Sequence, residues 1–444
     1  DLHLCDRRQR QMCIRDRFER VSGIFVPIFK ARRGCGMTLQ EFFDVKESYR
    51  LPDKIMEMLL SPDAEKTITQ IKEQISCDIR DMFQEEQGDR KSLKQDFTPD
   101  CICSIVADLM IDGTCLDMCS GTGALSKMAA LKRGIEINEQ EFSERTIPFA
   151  ILDACMNGMQ GTISKADCLR NTVQETYLLE ERGGISIVSL QERQEAGCFD
   201  NVIMNPPYSM KFPEADEMRI MGHKIPKSKA DYGFILRGLE HLNRGGRLIA
   251  ILPHGVLFRG AGEGDIRKWL VQERLINAVI GLPDKLFLNT SIPVFVLILQ
   301  YDSPDILFID ASKDFIKKSA QNDMTEQQTG KVVDTFLNRQ EVERYSHITS
   351  YSEIEKNDFN LNIPRYVDSF VHEPLPDVRK ILTNLREIDE EEKKVKDELY
   401  KMLQDLTGNA EDMNAIEMHK IILNPKQRRK TEKKQYDQLE LSWT

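Results

Sequence analysis

The chain has 444 residues, of which 41% are hydrophobic and 30% charged, a composition that supports a packed core and excludes an intrinsically disordered chain. It contains no run of apolar residues long enough to span a membrane. The formal net charge is −11, so any contact with nucleic acid has to come from local basic patches or from a partner. All 11 cysteines lie within the first 198 residues without paired CxxC spacings, which predicts reduced thiols in a cytoplasmic protein and no metal site.

The first 36 residues are predicted not to belong to the folded protein. Residues 1–17 have no helical or strand period, and the stretch RRQRQMCIRDR within them resembles the translation of a transposase-based sequencing adaptor. We therefore interpret residues 1–17 as an artefact; the alternative is a basic arm that contacts phosphate. Residues 18–36 are interpreted as a translated leader before a native start at Met37.

Apolar residues spaced three and four apart among charges, such as Ile68, Ile71 and Ile75, predict a helical N-terminal domain over residues 37–94. Over residues 95–370, short β-rich runs alternate with helical stretches, a pattern that predicts an α/β domain with a mostly parallel sheet. The predicted strands are 114–118, 134–137, 202–205, 247–252, 277–282 and 294–299. A long helix within residues 371–408 and a polar, partly basic tail at 409–444 complete the predicted organisation.

A glycine-bearing turn, LDMCSGTG, follows the first predicted strand. Asp117 ends the strand, and Gly121 and Gly123 let the backbone bend and a ligand approach the next helix closely. Alone this turn is weak evidence, because a structural turn or a dinucleotide site has the same pattern. Glu136, in GIEIN, is placed at the end of the next strand, where a carboxylate can accept ribose hydroxyls; taken singly, it is more often a solvated acid.

The tetrapeptide NPPY, Asn205 to Tyr208, follows the apolar strand NVIM directly. Two prolines make a rigid loop that holds an amide oxygen, a backbone carbonyl and an aromatic ring in fixed relation. A lone tetrapeptide of this kind can be an ordinary turn. Its position after a strand and downstream of the glycine turn favours a functional loop.

Together these elements resemble the motifs of S-adenosylmethionine-dependent N6-adenine DNA methyltransferases, and more closely those of the modification subunits of type I restriction–modification systems. The resemblance covers about residues 90–370 and implies a Rossmann-like methyltransferase sheet with cofactor and target sites at the carboxyl ends of its strands. That family usually has a much larger helical N-terminal domain, so a compact stand-alone relative is an alternative. Further matching stretches are QDFTP (95–99), KADYGFI (229–235), GGRLIAILPHGVLFRG (245–260), IRKWLVQERLINAVIGLPDKLFLNTSIP (266–293), LFIDASK (307–313) and NDFNLNIPRYVD (357–368).

The resemblance also implies roles for individual residues. Asn205 and Pro206 would accept the N–H groups of an adenine amine and aim its lone pair at the sulfonium methyl, with Pro207 keeping the loop rigid. Tyr208 would stack on the flipped base and Phe287 would flank it from the other side, unless Phe287 is ordinary core. No metal is expected, because the cofactor carries an activated methyl group. The residues assigned to S-adenosyl-L-methionine are Phe97, Thr98, Pro99, Asp117, Gly121, Gly123, Glu136, Asp167 and Cys168.

Recognition of a DNA sequence is expected to reside in a partner. Only the short segment MKFPEADEMRIMGHKIPKS separates NPPY from KADYGFI, and no recognition domain follows the last predicted sheet strand. The helix over 376–406 carries a heptad seam with one polar break, which fits docking to a DNA-specificity subunit; the alternative is a helix that folds back on its own domain. Double-stranded DNA and a restriction subunit are further expected partners. The seam residues are Ile381, Leu385, Ile388, Glu392, Val395, Leu399, Met402 and Leu406.

Two other functions compete with this expectation. Methyltransferases that act on glutamine side chains of release factors share NPPY, but the long matching C-terminal half argues against them. A scaffold that binds cofactor and partners without turnover is the non-enzymatic alternative, which the intact NPPY and glycine turn disfavour.

Overall fold

The structure, a computed structural model, describes residues 37–75, 78–86, 97–192, 197–212, 218–288, 292–319, 321–369 and 377–423. The predicted adaptor and leader (1–36), the end of the tail (424–444) and Gln95 and Asp96 of QDFTP lie outside the described residues. The described residues divide into two compact units, on either side of the boundary between Ser369 and Phe370. No helix in the described part of the chain is both long and apolar enough to cross a membrane.

The secondary structure alternates between helices and strands through most of the first unit. The α-helices are α1 Leu39–Phe42, α2 Leu51–Leu59, α3 Ala64–Gln74, α4 Ile79–Glu86, α5 Asp100–Leu109, α6 Ala124–Arg133, α7 Ile147–Met156, α8 Asp231–Glu240, α9 Gly262–Gln272, α10 Glu326–Leu337, α11 Tyr351–Lys356, α12 Val378–Gln404 and α13 Ala410–Leu423. The strands are β1 Cys115–Met118, β2 Ile137–Glu141, β3 Gly161–Asp167, β4 Thr172–Arg182, β5 Ile185–Gln191, β6 Phe199–Met204, β7 Arg219–Ile220, β8 His223–Lys224, β9 Leu242–Pro253, β10 Ile276–Gly281, β11 Val294–Leu299, β12 Ile306–Asp310, β13 Ile316–Lys317, β14 Asn322–Asp323 and β15 Ser346–Thr349.

Eleven of these strands form one sheet in the order β15-β12-β10-β11-β9-β6-β1-β2-β3-β4-β5. Its centre, β9-β6-β1-β2-β3, is parallel throughout. Antiparallel pairing adds β4 and β5 on one side. On the other side β11 and β10 join by antiparallel pairing, β12 pairs parallel with β10, and β15 ends the sheet antiparallel to β12. The chain runs from β1 outward through β2 and β3 to β5 and then returns to the other side of β1 as β6. The crevice at the carboxyl ends of β1 and β6 is therefore the switch point at which open α/β sheets bind ligands. The predicted Rossmann-like sheet is confirmed.

The predicted bounds of the second strand are wrong. The strand was expected at 134–137, but β2 is Ile137–Glu141. Glu136 consequently precedes the strand and is exposed, at the end of the sheet opposite to the expected one. The error arises because the run GIEINEQE holds three glutamates, and alternation alone does not decide which of them ends the strand.

The core lies on both faces of the sheet. Along β9, Leu248, Ala250 and Leu252 face one buried cluster, while Ile249 and Ile251 face the other, as the two-residue period of a strand requires. Helices α2, α3 and α4 share a third cluster with α7 and with strands β3 to β5. The N-terminal helices thereby pack on α7, and α3 also contacts β5.

Gly161 fixes the spacing of these two strands. It pairs with Ile137 at the start of β2 and β3, and a Cβ built on Gly161 would lie 1.8 Å from the Ile137 carbonyl oxygen, at a φ of +129°. Only glycine allows this approach. The close pairing sets the register that brings the carboxyl ends of β2 and β3 to one edge.

The second unit contains α12 and α13, which contact each other. The Asp377 side chain caps α12 by accepting the backbone N–H groups of Arg379 and Lys380. None of the residues of α12 is buried, and the apolar positions of the predicted seam are 43–68% exposed. The helix thus presents an open apolar stripe.

Candidate active site

A cavity of about 650 Å³ opens at the carboxyl ends of β1, β2, β3 and β6. It gathers side chains from loops far apart in the sequence, and this volume lies in the range of small-molecule sites. Of the residues expected from the sequence, the following line it: Phe97, Thr98, Gly121, Asp167, Cys168, Asn205, Pro206, Pro207 and Tyr208.

Asn205 is held on both sides of its amide. Its Nδ2 donates to Thr98 Oγ1 at 2.9 Å, and its Oδ1 accepts from the Tyr208 hydroxyl at 2.8 Å. The amide oxygen has two lone pairs, so one acceptor site is left over. The loop before α5 and the NPPY loop are thereby joined across the cavity, with the amide oriented by its neighbours.

The chain after NPPY is anchored by a buried charge network that the sequence analysis did not find. Asp231, which is fully buried, accepts the Ser209 N–H at 2.9 Å and an Arg259 guanidinium N–H at 3.2 Å. Arg259 also donates to Ser209 Oγ at 3.3 Å and pairs with Glu263. Asp231 lies in the matching stretch KADYGFI, Arg259 lies in GGRLIAILPHGVLFRG, and Glu263 follows it closely. The family resemblance implied no role for these residues. The residue types alone, an isolated Asp and an isolated Arg, carry no signal that they meet.

The acid that ends β2 in the cavity is Glu141 and not Glu136. Glu141 Oε2 accepts the Gly121 N–H at 2.9 Å, and Oε1 accepts the Ser143 N–H at 2.8 Å. Burial raises the pKa of this carboxyl, while the backbone N–H groups oppose the rise. A carboxylate has about four hydrogen-bond acceptor sites, so Glu141 retains acceptors beyond these two bonds. Glu141 also lines the cavity. The available signal was its place just before the loop that leads to α7.

Asp167 ends β3 and lines the cavity together with Cys168. Its Oδ1 accepts the Arg170 N–H at 3.0 Å, and its carboxylate forms an ion pair with the Arg170 side chain. The short turn after β3 is therefore fixed by the aspartate itself. One carboxylate at the end of β2 and another at the end of β3 lie on the same side of the cavity floor.

Four further residues expected at the site lie outside the cavity lining. Pro99 is the N-cap of α5. Gly123 has a φ of +76°, and a Cβ there would lie 2.7 Å from Glu139 Oε1, so its role is to admit Glu139 behind the turn. Asp117 is 1% exposed and accepts the Ser126 N–H at the start of α6.

Phe287 is 3% exposed and packs edge-to-face on Tyr208, with ring centroids 6.1 Å apart, so it cannot stack on a base in this arrangement.

Two carboxyl groups are buried side by side under the glycine turn. Burial first, and the neighbouring Glu139 second, raise the pKa of Asp117 well above its usual range. Burial raises the pKa of Glu139 to about 7, although the hydroxyls of Ser126 and Ser120 oppose the rise. Asp117 Oδ1 has no hydrogen-bond partner among the described residues. Burial thus favours the protonated form of both carboxyl groups under the turn.

A parallel sheet with a glycine turn after β1 and acids at the ends of β2 and β3 is the arrangement of the Rossmann-like, nucleotide-binding class of folds. Residues 79–373 match the N-6 DNA methylase family model. Because the match covers more than half of the chain, the chain belongs to the N-6 DNA methylase family.

Several curated proteins and solved structures are similar to this chain. The MjaVII methylase subunit of a type I restriction enzyme from Methanocaldococcus jannaschii is 34% identical over 223 residues, which are 46% of this chain and 38% of the relative. The MjaVIII methylase subunit from the same organism is 26% identical over 346 residues, 72% of this chain and 56% of the relative. A solved methyltransferase subunit of a type I restriction–modification system from Streptococcus thermophilus superposes with a TM-score of 0.54 at 27% identity, covering 74% of this chain and 82% of that one. The chain thus spans about half the length of the curated relatives.

The buried carboxyl pair predicts a pH-dependent stability. Folded Glu139 keeps its proton up to about pH 7, while in the unfolded chain a glutamate loses it near 4.5. The folded state therefore binds more protons between these values, and the free energy of unfolding falls as pH rises through this window, by at most about 3 kcal/mol. Glu139→Gln has no proton to lose, so its urea-unfolding free energy is expected to fall less between pH 5 and pH 8.

The exposed Glu136→Gln variant is the matched control and should keep the wild-type profile. A Glu139→Gln profile as steep as the wild-type profile would mean that Glu139 does not carry this effect.

Proposed function

We propose that the chain is a DNA methyltransferase that transfers a methyl group from S-adenosyl-L-methionine to N6 of an adenine, as the modification subunit of a restriction–modification system. The observation that carries this proposal is the placement of Asn205, with its amide oriented by Thr98 and Tyr208, on a cavity that also contains Glu141 and Asp167. The amide oxygen of Asn205 can accept a hydrogen bond from an exocyclic amine, and the carboxyl groups of Glu141 and Asp167 can accept hydrogen bonds from a nucleoside.

The residues of the cavity fit S-adenosyl-L-methionine. Glu141 has acceptor sites left for ribose hydroxyls, and Asp167 supplies an acceptor for the amine of the cofactor's adenine. Gly121, at a φ of +60° with open space around it, lets the backbone approach a ligand. Phe97 and Thr98 close the side next to Asn205. When bound, the cofactor supplies a methyl group already activated as a sulfonium.

The NPPY loop would prepare the adenine amine. This amine is a poor nucleophile because its lone pair is delocalised into the ring. If Asn205 Oδ1 and the Pro206 carbonyl accept its two N–H groups, the nitrogen becomes pyramidal and the lone pair is released in a fixed direction. Tyr208 would stack on the base after it leaves the duplex. Phe287 would act by bracing Tyr208 edge-to-face and would not contact the base.

Asn205→Ala tests the catalytic role directly. The substitution removes the amide acceptor and frees Thr98 and Tyr208, so methyl transfer to unmethylated bacterial DNA should fall by more than about 100-fold. Cofactor affinity, measured by calorimetry, should stay near the wild-type value because the floor of the cavity is unchanged. Transfer is to be measured with labelled S-adenosyl-L-methionine, with and without a neighbouring specificity protein. If the wild-type protein binds the cofactor but transfers no methyl group to DNA, either with or without the specificity protein, the chain acts on another substrate or is a scaffold.

Glu141→Gln and Glu136→Gln form a matched pair for the cofactor site. Removing the charge of Glu141 weakens its hydrogen bonds to a ribose, so cofactor affinity should fall roughly 10- to 100-fold. Glu136→Gln, at the opposite end of the strand, should leave the affinity unchanged. The reverse result, loss of affinity in Glu136→Gln alone, would show that the sequence-based assignment of Glu136 was right.

We further propose that sequence recognition lies in a separate DNA-specificity subunit that docks on α12. The stripe Ile381–Leu385–Ile388 continues through Val395 to Met402 and is at least 43% exposed along its length. Its four-three spacing is that of helices that pack as coiled coils, which bury such a stripe against a partner. A restriction subunit and a cytoplasmic location belong to the same proposal.

Shortening the chain at Pro376 tests the docking role. The shortened protein should no longer co-purify with a neighbouring specificity protein, while its cofactor affinity stays unchanged because the cavity lies in the first unit. Retained co-purification would refute a docking role for α12.

A further inference from the structure

A strongly basic segment lies between NPPY and α8, and the proposed chemistry does not use it. Residues 219–229, here called the basic hairpin, contain Arg219, Lys224, Lys227 and Lys229 and no acidic residue. Even with Glu214, Asp216 and Glu217 of the preceding stretch counted, residues 211–230 hold five Lys or Arg against three acids, in a chain whose net charge is −11. The local charge is opposite in sign to that of the whole protein.

The basic hairpin is firmly anchored, so its charges occupy defined positions. Strands β7 and β8 pair through Ile220 and His223, and Ile220 and Ile225 are fully buried. The His223 ring lies 4.5 Å from the Trp269 ring. Because neighbouring strand residues point to opposite sides, the basic side chains are left on the other face, where Arg219, Lys224 and Lys227 are exposed.

The same segment is bonded to the lining of the cavity. The Phe212 N–H donates to the Lys227 carbonyl at 2.8 Å, and the Ala230 N–H donates to the Met210 carbonyl at 2.9 Å. Met210, Lys211 and Phe212 line the cavity directly after NPPY. The carboxyl end of the basic hairpin, at Lys227, is therefore hydrogen-bonded to the chain that lines the cavity.

The chemistry of these cations does not suit the cofactor. S-adenosyl-L-methionine carries a sulfonium and an ammonium against one carboxylate, so a basic rim repels it. A flipped nucleotide, in contrast, leaves its two flanking phosphates at the mouth of the pocket, and lysines and arginines bind phosphates with release of counterions. We propose that the basic hairpin binds the two DNA phosphates that flank the target adenine, an inference that rests on the proposed function.

Lys224→Ala combined with Lys227→Ala tests this role in the full chain. The probe is a short duplex with a mismatched adenine, which lowers the energy needed for flipping. If each lysine neutralises one phosphate, the dissociation constant should rise about 30-fold at roughly 0.15 M salt, and the slope of log affinity against log salt should flatten by about 2. Cofactor affinity, and the rate of methyl transfer at saturating DNA, should stay at the wild-type value.

The matched control is Lys54→Ala combined with Lys66→Ala, which removes the same charge from exposed positions on α2 and α3. Its DNA affinity should stay close to that of the wild type, because distant surface charges are screened by salt. An equal loss of DNA affinity in both double variants, or no change in either, would overturn the role of the basic hairpin. Methyl transfer by the wild type would in that case still support the proposed function. A wild type that binds the cofactor but neither binds nor methylates DNA would overturn both.

Discussion

The parallel pairing of β1 with β2 on one side and β6 on the other is the constraint on which the site depends. In this register Met118 lies beside Gln140 and Met204, so the glycine turn, the end of β2 and the NPPY loop leave the sheet at the same level. Parallel strands need crossovers of a dozen or more residues, and these crossovers let residues separated by scores of positions in the sequence line one cavity. Gly161 extends the register to β3 and so brings Asp167 to the same edge.

This convergence concentrates carboxyl groups in a small, poorly solvated volume. Asp117 and Glu139 lie under the turn, with Glu141 at its rim, and burial raises the pKa of all three. Backbone N–H groups of Gly121, Ser126 and Ser143 offset part of the desolvation. The glycine turn thus has two functions: it leaves room for Glu139 behind it, and its Gly121 N–H orients Glu141.

The NPPY loop is restrained from two directions. Thr98 contacts Asn205 from the loop before α5, and Asp231 with Arg259 fixes the backbone just beyond Tyr208. Proline rigidity alone does not set where an amide points; the neighbours do. Backbone hydrogen bonds from Phe212 to Lys227 and from Ala230 to Met210 join the chain after this loop to the basic hairpin. The loop that would hold the base and the surface that would hold its phosphates are therefore linked directly.

Local patterns were enough to predict the α/β class, the position of the glycine turn, the NPPY loop and the long amphipathic helix, because each depends on periodicity or on residues adjacent in the chain. Asp167 was suggested only by the family resemblance and not by a local pattern. The strand pairing was needed to place Glu141 and not Glu136 at the cavity, since three glutamates share one short run and the register selects among them. Only the structure placed Phe287 behind Tyr208 and joined Asp231 to Arg259 and Ser209. Contacts of this kind depend on how distant segments pack against the sheet, and packing leaves no periodic signal in the chain.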